Sequence, residues 1–395
     1  MVGGFYKTFF MKYKLSYDSW GTEEKKAIKQ IISSGNYSLG SEVQKFEKKF
    51  AKYIGMKYAI MTNSGSSANL LGINSYFFKK KNKLKAGDEV LVPALAWSTT
   101  YSPLFQNNLK IKIIDVSLEN LNINIDLLEK AITPKTKVIC AVNILGIPCN
   151  LKKIRKLCNT KNIILYEDNC ESLGASISGK KTGSFGDFST HSFFFSHHIS
   201  TIEGGMVLTN NYETYEIIKS LRAHGWTRDI PNNNSIYKIK KKDFDSEYKF
   251  ILPGYNLRPS EINASIGIEQ LKKLNKMIKI RRENLKIFES FFRNDDRFII
   301  PKTDYISSSF SFPLIMRDNT KGQREKLFKR LKSENIEYRL VAGGNFLSQP
   351  QKKYYDYEIF SKIKNAERIH NDGFCVGNSS KDLSKEIKFL YNVIS

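Results

Sequence analysis

The feature that most constrains the fold is an alternation of short apolar runs and amphipathic segments over about the first 250 residues. Five runs predict strands: 58–62, 89–92, 111–114, 137–142 and 162–166. Segments with helical spacing lie between some of them, at 66–79, 124–132 and 150–159. Val/Ile-rich runs separated by helices are typical of a mostly parallel sheet with helices on both faces. We therefore predict an α/β fold built on such a sheet.

The pattern changes in the last third of the chain. A smaller α/β unit is predicted there, with a long helix at about 260–294, a strand at 310–316 and a helix at 320–334. A chain of 395 residues is long enough for one large and one small domain. We expect the large domain over residues 1–255 and the small C-terminal domain, with its linking helix, over 256–395.

Apolar runs and cysteine usage exclude several classes of protein. No run of eighteen apolar residues occurs, and the first twenty residues lack the core of a signal peptide, so no membrane partner is expected. The five cysteines form no CxxC pair and lie at positions 140, 149, 158, 170 and 375. This usage favours reduced thiols over disulfides or a zinc site. We expect a cytoplasmic protein without a metal.

The net charge of +24 raises the possibility of nucleic-acid binding. The lysines are spread over the whole chain and mixed with glutamate at helical spacing, which is typical of solvated faces. A Lys/Asn-rich stretch at 229–247 is expected to be an exposed loop. We expect no nucleic-acid partner, and the positive field favours an anionic substrate such as a nucleotide sugar.

Predicted strand ends carry residues suited to a ligand, which open α/β folds bind at the carboxyl edge of the sheet. In TNSGSSANLL (62–71), Gly65 and Ser66 open a helix. This arrangement suits phosphate binding at free N–H groups, although the stretch taken alone slightly favours an ordinary Ser N-cap. In PALAWSTT (93–100), Trp97 suits stacking on an aromatic ligand, and equally a place in the core.

A third strand end, in ILYEDNCESLGA (164–175), carries the carboxylates Glu167 and Asp168. A buried carboxylate must be paired. Asp168 suits the protonated ring nitrogen of a cofactor, as pyridoxal phosphate (PLP) chemistry requires. A helix cap or an ion pair is the alternative if this motif stands alone.

Together, the helix start at Gly65 and Ser66, the Trp97 ring and the Asp168 carboxylate form a pattern. This pattern resembles that of the sugar-modifying aminotransferases, a PLP-dependent family with the aspartate aminotransferase fold. In that family a Ser-Phe-x-x-x-Lys stretch follows the Asp, and its Lys binds the cofactor covalently. Here Ser192 and Phe193 open SFFFSHHISTIEGG (192–205), and His197 replaces the Lys. An imidazole holds no lasting imine, but with an ordinary pKa of about 6.5 it is a good general base. The exchange is fatal to ordinary transamination and suits an enzyme that only moves protons.

One branch of the family resembles this chain: the 3-dehydratases of keto-deoxy sugar nucleotides, which use pyridoxamine phosphate (PMP). One kind acts on CDP-linked sugars with a [2Fe–2S] cluster, and the other acts on a GDP-linked 4-keto-6-deoxy sugar without one. A cluster needs four gathered thiolates, whereas no two cysteines here are nearer than nine residues. We expect no iron–sulfur cluster. HHISTIEGGMV (197–207) and RAHGWTR (222–228) also resemble the cluster-free kind, and the resemblance covers about residues 14–390.

The resemblance implies a role for each site residue. The implied cofactor contacts are Gly65, Ser66 and Ser192 at the phosphate, Trp97 on the ring, Asp168 at the ring nitrogen, and Glu171, where relatives have Gln, near the ring hydroxyl. Asn256, in LPGYNLRPSE (252–261), matches a position that reaches the phosphate in the neighbouring subunit. Arg228 matches one that contacts the nucleotide sugar, again across the interface, and its planar fork suits a diphosphate. A homodimer with shared active sites is implied.

The implied activity is a C3 dehydration that gives a 4-keto-3,6-dideoxy sugar nucleotide. Glutamate would convert PLP to PMP, His197 would move the protons, and Asp168 would keep the ring nitrogen protonated. Whether the sugar is a hexose or a heptose is left open. His198 is expected to be structural, because successive side chains of an extended segment point to opposite sides. The role of His224 is left open.

Two other functions stay open at this point. The first is a sugar-nucleotide aminotransferase that recruits a different lysine, such as Lys180 or Lys181. The second is a catalytically silent binding protein of the same fold. A metal site at the histidines of residues 191–198 is not expected, because no carboxylate at suitable spacing joins them.

Overall fold

The computed structural model describes residues 12–231, 233–238, 248–320 and 322–395. Part of the stretch expected to be an exposed loop, at 232 and 239–247, lies outside the described residues. The helices are α1 (Thr22–Ser34), α2 (Ser41–Ile54), α3 (Gly65–Ser75), α4 (Ser98–Gln106), α5 (Ile125–Ala131), α6 (Leu151–Lys161), α7 (Tyr212–Arg222), α8 (Glu261–Phe292), α9 (Gln323–Ser333), α10 (Asn365–Asp372) and α11 (Ser384–Ile394).

A sheet of eight strands forms the centre of the molecule. Its strands are β1 (Tyr58–Thr62), β2 (Glu89–Pro93), β3 (Lys110–Ile114), β4 (Thr136–Val142), β5 (Ile164–Asp168), β8 (Phe188–Ser192), β9 (Gly205–Thr209) and β13 (Tyr357–Ile359). Their order is β1-β9-β8-β5-β4-β2-β3-β13. Seven of these strands run in the same direction, and β9 runs opposite to them. A short hairpin of β6 (Ser176–Ile177) and β7 (Lys180–Lys181) lies outside this sheet.

The five predicted strands form, with bounds within two residues of the prediction. The alternation along β2 shows why both faces of the sheet are apolar: Val90 and Val92 enter one hydrophobic core, and Leu91 enters another on the opposite face. The largest shift is in β5, which begins at Ile164 because Asn162 ends α6 in a left-handed conformation. Asp168 therefore lies in the last position of the strand.

A smaller antiparallel sheet follows the long helix α8. Its strands are β10 (Phe298–Ile299), β11 (Ser311–Met316), β12 (Tyr338–Arg339) and β14 (Gly373–Gly377), in the order β10-β11-β14-β12. Phe288 of α8 stacks on Phe312 of β11, with ring centroids 4.6 Å apart. Phe288, Phe312 and Leu390 belong to one buried cluster, so α8 and α11 cover this sheet and give it a core of its own.

Two segments cross the domain boundary predicted at residue 255. Near the N-terminus, Tyr13 is buried in the core of the small sheet and its hydroxyl donates a hydrogen bond to the Gly377 carbonyl at 2.8 Å. In the C-terminal part, β13 extends the large sheet by pairing in parallel with β3. The division into residues 1–255 and 256–395 stays a prediction. Within the described parts of the chain, no helix is long and apolar enough to cross a membrane.

Candidate active site

A cavity of about 290 Å³ opens at the carboxyl edge of the large sheet. The first turns of α3 and α4, the ends of β5 and β8, the loop after β8, and β12 of the small sheet form its walls. Seven of the nine residues implied by the resemblance line it: Gly65, Ser66, Trp97, Asp168, Glu171, Ser192 and His197. Arg228 and Asn256 do not.

One end of the cavity is the N-terminus of α3. Ser64 is the N-cap, because its hydroxyl accepts a hydrogen bond from the Ser67 N–H at 3.1 Å, so the N-cap alternative does not apply to Ser66. Helical hydrogen bonding starts at Ser67 and Ala68, which leaves the N–H groups of Gly65 and Ser66 available. Ser192 lies against Gly65. The N–H groups, two hydroxyls and the helix dipole fit a phosphate group.

Gly65 is required by this close approach. A Cβ at position 65 would lie 2.6 Å from the Ser192 Cβ, so a Gly65→Ala variant must push the phosphate cradle apart. We expect at least about tenfold weaker PLP binding, and a stability loss of about 1–3 kcal/mol. Gly72→Ala is the matched control, since its Cβ would meet the Phe188 ring at 2.4 Å on the same helix. Fluorescence titration should show weaker PLP binding in Gly65→Ala and not in Gly72→Ala. Equal losses of PLP affinity in the two variants would contradict a phosphate site at Gly65.

Asp168 forms the floor of the cavity. Its carboxylate is buried and accepts hydrogen bonds from the Thr100 hydroxyl at 2.8 Å, the Cys170 N–H at 3.1 Å and the Asn69 amide at 3.3 Å. None of the salt bridges among the described residues involves it. Because a buried carboxylate needs a positive partner, this arrangement fits the protonated ring nitrogen of PLP. Asn69 and Thr100, which hold the carboxylate in place, were not predicted from the sequence.

The neighbouring Glu167 has a different role. It points to the other face of β5, where its two carboxylate oxygens accept hydrogen bonds from the Gly183, Phe185 and Gly186 N–H groups and the Asn143 amide. Both carboxylate oxygens of Glu167 therefore have hydrogen-bond partners within the protein. The strand alternation therefore assigns one carboxylate of the pair to the cavity and the other to the fold.

His197 lies on the wall of the cavity and is half-buried. Its ring packs against Phe310, with centroids 5.1 Å apart, and its Nδ1 is buried without a hydrogen-bond partner. Burial, together with the positive charges of Arg339 and Arg281, lowers the pKa of His197 to about 3. The pKa of His197 therefore lies below the ordinary value of about 6.5 that the sequence suggests. The imidazole is neutral at physiological pH, which is the protonation state a base needs.

Among the described residues that line the cavity, His197 is the only histidine. His198 is buried, and its Nε2 lies 3.2 Å from the Ser308 carbonyl oxygen. His191 packs edge-on against Phe50 in the core. His224 has a left-handed backbone, its N–H donates to the Tyr255 carbonyl at 2.6 Å, and its side chain does not line the cavity.

Buried neutral histidines make stability depend on pH. Burial lowers the pKa of His191 to about 3, whereas the unfolded chain binds a proton near pH 6.5. The unfolded state therefore holds more protons below pH 6.5, and stability falls as pH falls from there towards 3. Between pH 6.5 and pH 3, the free energy of unfolding of a His191→Gln variant should depend less steeply on pH, by about 1.4 kcal/mol per pH unit. Urea unfolding at pH 4.5, 5.5 and 6.5 measures it, and parallel curves for both proteins would refute the assignment.

Arg339 comes from the small sheet, and it faces Glu171, which follows β5 of the large sheet, across one side of the cavity. The Glu171 carboxylate accepts a hydrogen bond from the Leu145 N–H at 2.9 Å and lies 3.6 Å from the Arg339 guanidinium. Burial raises the pKa of Glu171, although Arg339 opposes this. Arg339 was not predicted from the sequence, because no motif marks it.

Trp97, Arg228 and Asn256 are exposed in the single chain. Trp97 caps α4 at the cavity wall with 53% of its surface accessible, so it is not a core residue. Arg228 lies over the Trp226 ring, 5.4 Å from its centroid, and Asn256 accepts a hydrogen bond from the Arg258 side chain. The segments that carry Arg228 and Asn256 are adjacent, through a bridge between Ala223 and Asn256.

No lysine is among the described residues that line the cavity. Lys180 and Lys181, in β7, lie instead over the rings of Phe185 and Tyr53. The five cysteines are free, and the described residues contain no group of three or more His, Cys, Asp or Glu residues that could hold a metal ion.

Comparison with known proteins defines the class. The model of the DegT/DnrJ/EryC1/StrS aminotransferase family matches residues 18–388, and the chain belongs to this family. Within it, the chain is 45% identical to a GDP-4-keto-6-deoxy-D-mannose 3-dehydratase of Yersinia pseudotuberculosis, over 98% of this chain and 99% of the relative. The resemblance inferred from the sequence is thereby confirmed.

Solved structures give the same result. A GDP-4-keto-6-deoxymannose 3-dehydratase, a histidine-to-asparagine variant with bound GDP-perosamine, superposes with a TM-score of 0.95 at 43% identity, covering 97% of this chain and all of that one. A second structure of such an enzyme, with a trapped PLP–glutamate geminal diamine, has the same score, identity and coverage. The predicted fold class, a mostly parallel sheet with helices on both faces and a smaller C-terminal unit, is confirmed.

Proposed function

We propose that this chain is a PLP/PMP-dependent C3 dehydratase of a GDP-linked 4-keto-6-deoxy sugar, with glutamate as the amino donor. The observation that carries the proposal is His197 at the cavity wall, with no lysine among the described lining residues. A lysine would hold the cofactor covalently and return the amino group by transamination. A neutral imidazole leaves the cofactor free and moves protons.

Each of these cavity residues has its own role in the proposed reaction. When bound, the cofactor supplies a protonated aromatic ring that accepts an electron pair. Asp168 keeps that ring nitrogen protonated, and Thr100 and Asn69 hold Asp168 in place. The N–H groups of Gly65 and Ser66 bind the phosphate. His197 takes up a proton beside the reacting carbon and returns one when the C3 hydroxyl leaves the sugar.

The ligands in two solved structures of relatives support the proposed GDP-linked substrate and the proposed amino donor. The solved relatives bind GDP-perosamine in one structure and a PLP–glutamate adduct in another. The five free cysteines suit the reducing conditions of the cytoplasm, where nucleotide-linked deoxysugars would be made.

A reconstitution assay tests the activity. The protein is incubated with glutamate, PLP and a panel of GDP- and CDP-linked 4-keto-6-deoxy sugars, and the products are read by mass spectrometry. A sugar nucleotide that has exchanged the C3 hydroxyl for hydrogen, with release of 2-oxoglutarate and ammonia, is the expected outcome for the GDP series. A 4-amino sugar product would identify an aminotransferase instead. Failure to bind either cofactor form would identify a silent binding protein.

We further propose a homodimer in which Arg228 and Asn256 complete the partner's cavity. Both side chains are exposed and outside the cavity of their own chain, on adjacent segments. If the sites are shared, a mixture of His197→Asn and Arg228→Ala proteins, each inactive alone, should regain about a quarter of wild-type activity after subunit exchange, since half the dimers then carry one intact site. An inactive mixture of proteins that do exchange subunits would place Arg228 in its own chain's site.

A further inference from the structure

We propose that Arg281 of α8 is a positioning residue for His197, which it holds in place through the segment 308–310. This inference rests on the proposed function and deepens it, because it concerns the base of that reaction. Arg281 is buried, with 5% of its surface exposed, and it forms hydrogen bonds to carbonyl oxygens but no ion pair among the described residues. Burial lowers the pKa of its guanidinium to about 10, so it stays charged at neutral pH. A buried charge without a counter-ion costs free energy, which indicates a role beyond packing.

The hydrogen bonds of Arg281 go to the segment 308–310 and to Asn378, which follows β14. Its Nη1 donates to the carbonyl oxygens of Phe310 at 3.1 Å, Asn378 at 3.1 Å and Ser309 at 3.4 Å. The Asn378 amide in turn donates to the carbonyls of Arg281 and Ser309, each at 3.0 Å. Ser309 has a left-handed backbone with a φ of +45°, which is unfavourable for a residue with a Cβ. Arg281 and Asn378 therefore hold a conformation that the chain alone disfavours.

The N–H groups of the same segment are held by the loop that follows β4. The Ser308 N–H donates to the Gly146 carbonyl at 3.0 Å, and the Phe310 N–H donates to the Leu145 carbonyl at 2.9 Å. A Cβ at position 146 would lie only 2.5 Å from the Ser309 nitrogen, so the two chains are in close contact. The segment is thus fixed at its N–H groups by the large sheet, and Arg281 donates to two of its carbonyl groups.

The segment 308–310 locates the base. The Nδ1 of His197 is buried without a hydrogen-bond partner, so its ring is held by packing against Phe310, at 5.1 Å between centroids, and Phe194, at 6.1 Å. The Nε2 of the adjacent His198 lies 3.2 Å from the Ser308 carbonyl oxygen. A base must lie within hydrogen-bond reach of the proton that it takes. Because no carboxylate or carbonyl orients this imidazole, the place of the Phe310 ring decides where it lies.

The charge of Arg281 acts on the same imidazole. It lowers the pKa of His197, after burial and the charge of Arg339. The other titratable groups near this ring are the adjacent His198 and the carboxylates that line the cavity, Asp168, Glu171 and Glu203. A histidine that resists protonation gives its proton up readily. The proton that His197 has taken therefore passes to the C3 hydroxyl of the sugar, which leaves as water.

The first experiment replaces Arg281 by Lys, which keeps the charge but loses the fork, and by Met, which removes both. Single-turnover deoxygenation of the GDP-sugar by PMP-loaded protein should slow about tenfold in Arg281→Lys and about 10²-fold in Arg281→Met, because the base is misplaced. PMP affinity should stay within about threefold of wild type, since the residues proposed to bind the cofactor lie outside the segment. Arg282→Met is the matched control and should keep its rate within about threefold. Arg282, next on α8, donates to the carbonyls of Ser307 at 2.8 Å and Gly174 at 2.9 Å.

A double-mutant cycle with Phe310→Leu tests whether Arg281 acts through the Phe310 ring. The leucine removes the ring against which His197 packs. In that background Arg281→Met should cost less than about threefold in rate, because the ring that it would displace is gone. Circular dichroism is measured first. If Arg281→Met does not fold, Arg281→Lys, which keeps the buried charge, replaces it in the cycle.

Histidine NMR reports the position of the base without turnover. The chain has five histidines, so histidine labelled with ¹³C at Cε1 gives five signals, and His197→Asn assigns the relevant one. The ring current of Phe310 shifts this signal, which should move towards its Phe310→Leu position in both Arg281 variants and stay in place in Arg282→Met. An unmoved signal, rate losses that add in the cycle, or an equal loss in Arg282→Met would overturn the role of Arg281. If the wild-type protein deoxygenates no sugar while the His197 signal responds as expected, the proposed function fails and the positioning role stands.

Discussion

A His197→Asn variant is expected to lose about 10²- to 10⁴-fold in the rate of C3 deoxygenation while keeping its fold and its affinity for PMP. Asparagine is polar and similar in reach, but its amide nitrogen accepts no proton. The substitution leaves Asp168, Gly65 and Ser66, the residues proposed to bind the cofactor, unchanged. Single-turnover mixing of PMP-loaded protein with the GDP-sugar measures the effect, because that assay isolates the proton transfers from the supply of amino groups.

The adjacent histidine is the control for that result. His198 is buried and bonded to the Ser308 carbonyl, so His198→Asn should lower stability and leave the deoxygenation rate within about tenfold of wild type. Full activity in the His197→Asn protein would remove this residue from the role of base. A larger loss of the deoxygenation rate in His198→Asn than in His197→Asn would show that His198, and not His197, is the base.

An Asp168→Ala variant should bind PLP at least about 10²-fold more weakly and lose deoxygenation with it, since a buried charge left without its partner costs about 3–5 kcal/mol. Without the carboxylate the ring nitrogen loses its proton, and with it the ability to accept electrons. Equilibrium dialysis gives the affinity, and the absorption spectrum of the bound cofactor reports the protonation of the ring.

Asp126→Asn provides the comparison for Asp168. This carboxylate is 85% exposed, and its neighbour Lys153 is 3.6 Å away at the surface, so PLP affinity and activity should not change. Wild-type affinity and an unchanged spectrum in Asp168→Ala would show that the cofactor ring lies elsewhere. Loss of secondary structure in that variant would be detected by circular dichroism before the titration.

The strands that precede Gly65 and Trp97, and the strand that ends at Asp168, could be predicted from the sequence because their signals are local. Continuous apolar runs followed by Gly, Ser, Trp or Asp report a buried strand and the polar residue at its end. His197 was found only by comparison with the family pattern, since a histidine after three phenylalanines carries no local signal of catalysis. The local pattern also placed Glu167 and Asp168 after the strand, whereas the structure places both inside it and on opposite faces.

Arg339 and the pKa of His197 could not be predicted, for a common reason. Both depend on contacts between segments that are distant in the sequence: β12 of the small sheet, the loop after β8, and Arg281 in the long helix α8. The hydrogen bonds from Asn69 and Thr100 to Asp168 are of the same kind. Local periodicity gives the elements of this fold, but the electrostatics of the cavity follow from how those elements are brought together.

The two crossing segments make the halves of this chain dependent on each other. A fragment cut after residue 255 would lose β13 and leave β3 as a bare outer strand, and unprotected outer strands promote aggregation. The complementary fragment would lack Tyr13 and so carry a hole in its own interior. Limited proteolysis between the halves should therefore yield a nicked but associated molecule, and neither piece should be recoverable alone as a well-behaved monomer.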